Sequence, residues 1–169
     1  MIEKRYDAVH DKPVKLITNI VILGALIIFG VNAFGLNGNP EISLSLLFIL
    51  FPLIILTWGI HPQYYSITNS SIKIKRPFGV IQIPFETIDS IRPIQWMELG
   101  FVIRLFGSGG LFGYLGIFNS NKIGRFVMWC TNKQNLILII CGEKKIIISP
   151  SNAEDFLNEF YYGWKKNVS

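Results

Sequence analysis

Two long apolar runs constrain this chain more than any other feature of its sequence. Leu16–Phe34 and Ile42–Ile60 each hold 19 residues, and neither contains Asp, Glu, Lys or Arg. A helix of ~20 apolar residues is long enough to cross the hydrocarbon core of a bilayer. Two buried core helices are the alternative, but the remaining chain is too short to cover both on all sides. The sequence therefore predicts two transmembrane helices.

A short polar segment, GLNGNPE, connects the two runs. Its glycines, asparagines and proline are typical of a tight turn, so the spans are expected to form an antiparallel hairpin. Pro52 removes one backbone donor from the second span and predicts a kink there. Val31-Asn32-Ala33 has the residue spacing of a signal-peptide cleavage site. Acidic residues before the first run and its length argue against cleavage.

The positions of the basic residues predict the orientation of this hairpin. The chain has a formal net charge of +5, and the turn between the runs contains no Lys or Arg. Basic residues flank the outer ends of the two runs: Lys4, Arg5, Lys12, Lys15, Lys73, Lys75 and Arg76. Such a distribution places both termini in the cytoplasm. We therefore expect an inner (plasma) membrane protein with two spans, with residues 1–61 as flank and hairpin and 62–169 as a cytoplasmic domain.

Short alternating segments after residue 62 predict strands. QYYSIT and SIKIKR should pair around a turn at Asn69-Ser70, and further strands are expected at Val80–Pro84 and Ser90–Ile94. GRFVMWCT, NLILIICG and KKIIIS are expected to form a β-meander with turns at 132–133 and 142–143. The last two segments are apolar on both faces, so part of the sheet should be covered twice.

The chain should end in an amphipathic helix. Ser151 and Glu154 have the spacing of a capping box. One apolar stripe follows at helical spacing: Ala153, Phe156, Leu157, Phe160, Tyr161 and Trp164. About seven strands followed by one helix indicate a mostly β, α+β domain.

The order of these elements resembles the pleckstrin-homology (PH) fold. The segment YYSITNSSIKIKRPFGVIQIPFETIDSI resembles the opening of bacterial PH domains, which often follow two membrane spans. GYLGIF and SPSNAEDF resemble a bacterial PH subfamily in which a glycine-aromatic loop precedes strand five and Ser-Pro opens the last helix. The resemblance implies a seven-stranded bent sheet, or split barrel, capped by a C-terminal helix. It implies no catalytic residues.

The glycine-rich stretch GSGGLFGYLGIFNSNKIGRF matches no phosphate-binding motif. A phosphate loop requires glycine before the lysine, and Asn121 precedes Lys122; a dinucleotide loop requires glycine where Phe112 stands. His10 and His61 have no nearby ligand set in the sequence, so no metal site is expected. We expect no enzymatic activity and no cofactor, and basic and aromatic residues are not interleaved as in nucleic-acid-binding proteins.

Two groups of residues are candidates for binding. Lys73, Lys75 and Arg76 lie on or beside the first hairpin, where they could contact anionic lipid headgroups or form a solvated strand face. Aromatic residues recur among glycines in an irregular passage expected between strands four and five: Trp96, Phe112, Tyr114 and Phe118, together with Phe101 and Phe106. These aromatics could fill the core, rest in the bilayer interface or dock a partner.

These observations predict a non-enzymatic, membrane-anchored binding module that docks a protein partner or a membrane complex at the cytoplasmic face. The alternative is a membrane-surface sensor that binds anionic lipid headgroups through its basic hairpin.

Overall fold

The computed structural model describes residues 3–34 and 40–168. The helices are α1 (Lys12–Ala33), α2 (Pro40–Ile60) and α3 (Ala153–Val168). The strands are β1 (Lys4–Asp7), β2 (Tyr64–Ile67), β3 (Ser71–Lys75), β4 (Val80–Pro84), β5 (Ser90–Ile94), β6 (Val102–Gly109), β7 (Tyr114–Ser120), β8 (Gly124–Cys130), β9 (Leu136–Cys141) and β10 (Lys144–Ile148). Short 3₁₀ turns at Phe85–Thr87 and Trp96–Leu99 flank β5.

The strands of the described chain form two sheets. One has the order β1-β2-β3-β4, and the other has the order β5-β9-β10-β8-β7-β6. The predicted count of seven strands is therefore too low. The four-residue strand β1 was not predicted; it pairs antiparallel with β2 and brings the N-terminal flank into the first sheet.

The predicted meander of β8, β9 and β10 is wrong. β10 lies between the other two strands, parallel to β8 and antiparallel to β9. Residues 131–135 form a loop and not a tight turn. In this loop Thr131 Oγ1 and Asn132 Nδ2 both donate to the Val9 carbonyl, at 2.9 and 2.8 Å. This loop binds the N-terminal flank, and β9 continues to a position next to β5.

The six-stranded sheet is covered on both faces, as its sequence predicts. Ile137 and Ile139 face a core shared with the four-stranded sheet and α3. Leu136 and Leu138 face a second core that contains Val14, from the first turn of α1. Since Val14 has no exposed surface, the start of α1 is part of the packed domain.

The glycine-rich stretch forms a β-hairpin, β6–β7, and not the predicted irregular passage. Gly107 lies opposite Gly116, with φ angles of 113° and 112°. A Cβ on Gly116 would lie 2.3 Å from the Phe106 carbonyl oxygen, so only glycine permits this approach. Glycines lower the strand propensity of this segment, so the sequence does not predict β6 and β7. In the folded protein they allow the two strands to pair at close distance.

Helices α1 and α2 pack against each other, and α2 continues through Pro52. Only α1 is long and apolar enough to cross a membrane among the residues described, and just 6% of its apolar window is buried in the protein. A core helix would be mostly buried. Leu44–Ile60, within α2, is apolar but shorter. The second span and the topology stay predictions.

The predicted C-terminal helix is confirmed, but its cap is Asn152 and not Ser151. Asn152 Oδ1 accepts a hydrogen bond of 3.0 Å from the Asp155 backbone. Phe156 and Phe160 from the predicted apolar stripe are fully buried.

Candidate functional site

The three predicted basic residues are divided along the β2–β3–β4 surface. Lys73 and Lys75 are half-buried on one face of β3, opposite Gln82 and Val80 of β4. Lys73 also borders a polar pocket of about 200 Å³ at the β2–β3 turn. The Lys75 carbonyl accepts a 2.8 Å hydrogen bond from Gln63, just after α2. The pocket and the helix end therefore lie at opposite ends of the hairpin.

Arg76 is packed against the domain. Its guanidinium carbon lies 5.1 Å from the centre of the Trp129 ring. Its Nε is buried and has no hydrogen-bond partner among the described residues. Burial lowers the pKa of Arg76. The arginine therefore contributes to packing and is not part of a fully solvated strand face.

The predicted aromatic residues differ in burial. Tyr114 and Phe118 are buried, and Phe118 stacks on Phe126 with ring centres 6.0 Å apart. Phe112 is half-buried and has a left-handed backbone conformation, with φ of 56°. For Tyr114 and Phe118, the structure favours the core interpretation over the bilayer and partner interpretations.

Other apolar side chains on this part of the domain are exposed. β6 is an edge strand of the six-stranded sheet. The exposed apolar residues on or near it are Met97, Phe101, Ile103, Leu105 and Phe106. The sequence singled out Phe101 and Phe106, but it could not show that they are exposed while other aromatics are buried. A bulge between Arg104 and Phe106 interrupts the alternation of inward and outward side chains along β6.

Trp96 belongs to a groove that the sequence did not predict. The groove, of about 560 Å³, lies between the Pro93–Glu98 segment, the 133–136 loop and the start of α3. The Lys133 ammonium lies 4.1 Å from the centre of the Trp96 ring and 4.9 Å from that of Tyr114, both cation–π contacts. Three segments far apart in sequence build this groove, so no local motif indicates it.

A second feature missed by the sequence is the junction between helices and domain. His10 and His61 approach with ring centres 5.9 Å apart, and His61 lies 5.7 Å from Phe112. His10 Nε2 donates to the Phe112 carbonyl at 3.2 Å. Burial, followed by the nearby His61, lowers the pKa of His10.

Asp11 completes this junction. Its carboxylate caps α1 by accepting from the Val14 backbone at 3.0 Å, and it accepts a weaker bond from the Tyr114 hydroxyl at 3.4 Å. Burial and this carboxylate raise the pKa of Tyr114 to about 12, so the phenol stays a donor. At the end of α2, the Phe78 backbone donates to the Gly59 carbonyl at 2.7 Å. Both helices are thereby attached to the domain at their ends.

The comparison with protein families identifies the domain. The model of the bacterial PH domain family matches residues 63–162. The chain belongs to the bacterial PH domain family. This match confirms the resemblance seen in the sequence and covers β2 to the first ten residues of α3.

The comparisons show little beyond the family. An uncharacterized protein of Clostridium acetobutylicum is 26% identical over 160 residues, which cover 88% of this chain and 53% of the relative. The chain thus spans about half the length of the curated relative it matches. No solved structure matches the chain significantly.

Proposed function

We propose that this protein is a non-enzymatic, membrane-anchored PH-domain module that docks a protein partner at the cytoplasmic face of the plasma membrane. The observation that carries this proposal is the groove between Trp96, the 133–136 loop and the start of α3. PH-like domains bind proteins or lipids. The polarity and charge of the side chains that line an exposed groove indicate which of these two ligands it suits.

The groove has the composition of a protein interface. Ile94, Leu136 and Leu157 line its buried floor. Glu98 and Glu154 bring negative charge to its rim, and Lys133 brings positive charge. An apolar centre with a polar rim of mixed charge is typical of protein–protein contacts. An anionic headgroup would require converging cations, and the lining of this groove holds two carboxylates and one lysine.

Anchoring is assigned to α1, with α2 as the second span. α1 exposes apolar side chains over its whole length, including Leu16, Leu23 and Phe29. α2 exposes Phe48, Ile49 and Phe51 in the same way. The termini of such a hairpin lie on the side that carries the flanking basic residues, which is the cytoplasmic side.

Site-specific photo-cross-linking in native membranes tests the docking proposal. A photoreactive residue at Gln134 of the groove, which is exposed, should capture the same protein in repeated experiments. Lys133→Glu should abolish that adduct, whereas Lys144→Glu, at the exposed start of β10, should leave it unchanged. An adduct that survives Lys133→Glu, or one lost equally in both variants, contradicts docking in this groove.

The lipid-sensor alternative rests on the polar pocket at the β2–β3 turn. It is lined by Thr68, Asn69, Ser70, Ser71, Lys73 and Gln82. Lys73 is its single cation, and β2 leads away from the end of α2 to this turn. The pocket thus lies at the end of the hairpin farther from the helix.

Charge reversal distinguishes this alternative. In the full chain reconstituted in vesicles, Lys73→Glu should leave the binding of soluble anionic headgroups unchanged if the alternative is wrong. A several-fold loss of headgroup binding in Lys73→Glu, with no loss in Lys144→Glu, would support the lipid sensor instead.

A further inference from the structure

The tip of the β6–β7 hairpin lies against the membrane helices. The Phe112 backbone donates a 2.9 Å hydrogen bond to the Thr18 hydroxyl of α1. A Cβ on Gly110 would lie 2.5 Å from the Ile17 side chain. A groove of about 620 Å³ joins this tip to Leu53, Leu56, Thr57 and Ile60 of α2. The hairpin and the bases of both helices therefore form one continuous surface.

The contact with α1 sets the height of this tip relative to the bilayer. α1 has 22 residues, or about 33 Å at ~1.5 Å per residue. Thr18 lies about 9 Å along it, which leaves about 23 Å from Thr18 to Ala33. A hydrocarbon core is about 30 Å thick. If α1 spans the core with Ala33 at the far boundary, Thr18 lies about 7 Å inside the near boundary, and the tip lies in the outermost part of the core, next to the headgroup region.

The side chains near the tip suit that boundary. Phe106 is 75% exposed and Leu105 is 53% exposed, although both are large and apolar. Arg104 is the charged side chain of β6 and its turn with β7, and it lines the groove against α2 together with Phe106. It has no acidic partner within 4 Å among the described residues. Apolar anchors with basic neighbours are typical of surfaces that rest in anionic lipid headgroups.

We infer that Leu105 and Phe106 insert into the headgroup region of the bilayer that holds α1. β6 remains at this depth, since its unpaired edge groups can bind water and headgroups there but would be unsatisfied in hydrocarbon. The PH domain is thus held against the membrane by a third contact besides the ends of the two helices. This inference rests on the proposed anchoring by α1.

Depth measurement with an environment-sensitive fluorophore tests the inference. The full chain, with Cys141→Ser to leave only the buried Cys130, is reconstituted in vesicles of zwitterionic and anionic phospholipids. The fluorophore is attached in Phe106→Cys, in Leu23→Cys within α1 and in Glu143→Cys at the β9–β10 turn. Lipids with a spin label near the headgroup serve as quenchers.

The inference predicts that the fluorophore at position 106 shows blue-shifted emission and strong quenching. Emission at position 23 should also be blue-shifted, whereas emission at position 143 should be neither shifted nor quenched. If position 23 is in the bilayer and position 106 behaves like position 143, the inference is wrong and the anchor survives. If positions 23 and 106 both behave like position 143, the proposed anchoring fails. If the blue shift at position 106 disappears on dilution of the protein in lipid, a second copy covers the hairpin and the inference is overturned.

Discussion

Replacement of Gly116 by alanine should destabilise the domain strongly. Gly116 has φ of 112°, and a Cβ there would lie 2.3 Å from the Phe106 carbonyl oxygen and 2.9 Å from the Gly107 Cα. The backbone conformation alone costs an alanine about 1–3 kcal/mol. The clash is with backbone on a paired strand, so it cannot be relieved by rotation of a side chain. We expect a total loss above about 3 kcal/mol.

Gly124→Ala is the matched control for this prediction. Gly124 also has a positive φ, 72°, but a Cβ there would meet no atom within 4 Å. This variant should show only the conformational cost, about 1–2 kcal/mol. Since 1 kcal/mol corresponds to about 2–4 °C in a domain of this size, Gly116→Ala should lower the melting temperature by roughly 6 °C or more.

Thermal unfolding of the full chain in detergent, followed by tryptophan fluorescence, measures both variants. The difference between them isolates the close approach of β6 to β7. If Gly116→Ala melts at the same temperature as Gly124→Ala, the pairing of Gly107 with Gly116 is wrong, and with it the hairpin that positions Phe106.

Three further perturbations test the junction and the core. The folded-state pKa of His10 is lowered, so the stability that neutral His10 provides should be complete above its ordinary pKa of about 6.5 and fall as the pH drops below it. The melting temperature of wild type should therefore decrease more between pH 7 and pH 5.5 than that of His10→Asn. Equal decreases would contradict the burial of His10. Asp11→Ala removes the α1 cap and should cost about 0.5–2 kcal/mol in the same thermal assay, whereas Tyr114→Phe, which loses only a 3.4 Å bond, should cost less; the reverse order would contradict the assigned roles. Phe156→Ala removes a fully buried ring and should cost about 3–5 kcal/mol, a loss that Tyr162→Ala, at an exposed position of the same helix, should not reproduce.

The sequence predicted the elements whose pattern is local. Strands β3, β5 and β9 show clear alternation or continuous apolar runs, and α3 shows a helical stripe. β1 was missed because KRYD is short and mostly charged. β6 and β7 were missed because their glycines lower strand propensity, although Gly107 and Gly116 allow the two strands to approach.

Pairing order and site geometry were less predictable because they depend on contacts distant in sequence. β10 lies between β8 and β9, and the 131–135 loop that joins β8 to β9 contacts Val9 of the N-terminal flank. The packing of Arg76 on Trp129 joins the turn between β3 and β4 to β8 of the other sheet. The Lys133 groove joins three separate segments. The candidate residues predicted from the sequence include Trp96 and Arg76. The sequence could not predict which distant residues these two side chains contact.

The orientation of the domain is the most direct test of the whole account. Glu143→Cys at the exposed β9–β10 turn, in a Cys141→Ser background, can be labelled with a membrane-impermeant thiol reagent in intact cells and after permeabilisation. A cytoplasmic, membrane-anchored PH domain predicts labelling only after permeabilisation, with the labelled protein in the membrane fraction. Labelling of intact cells, or labelled protein released into the soluble fraction, would contradict it.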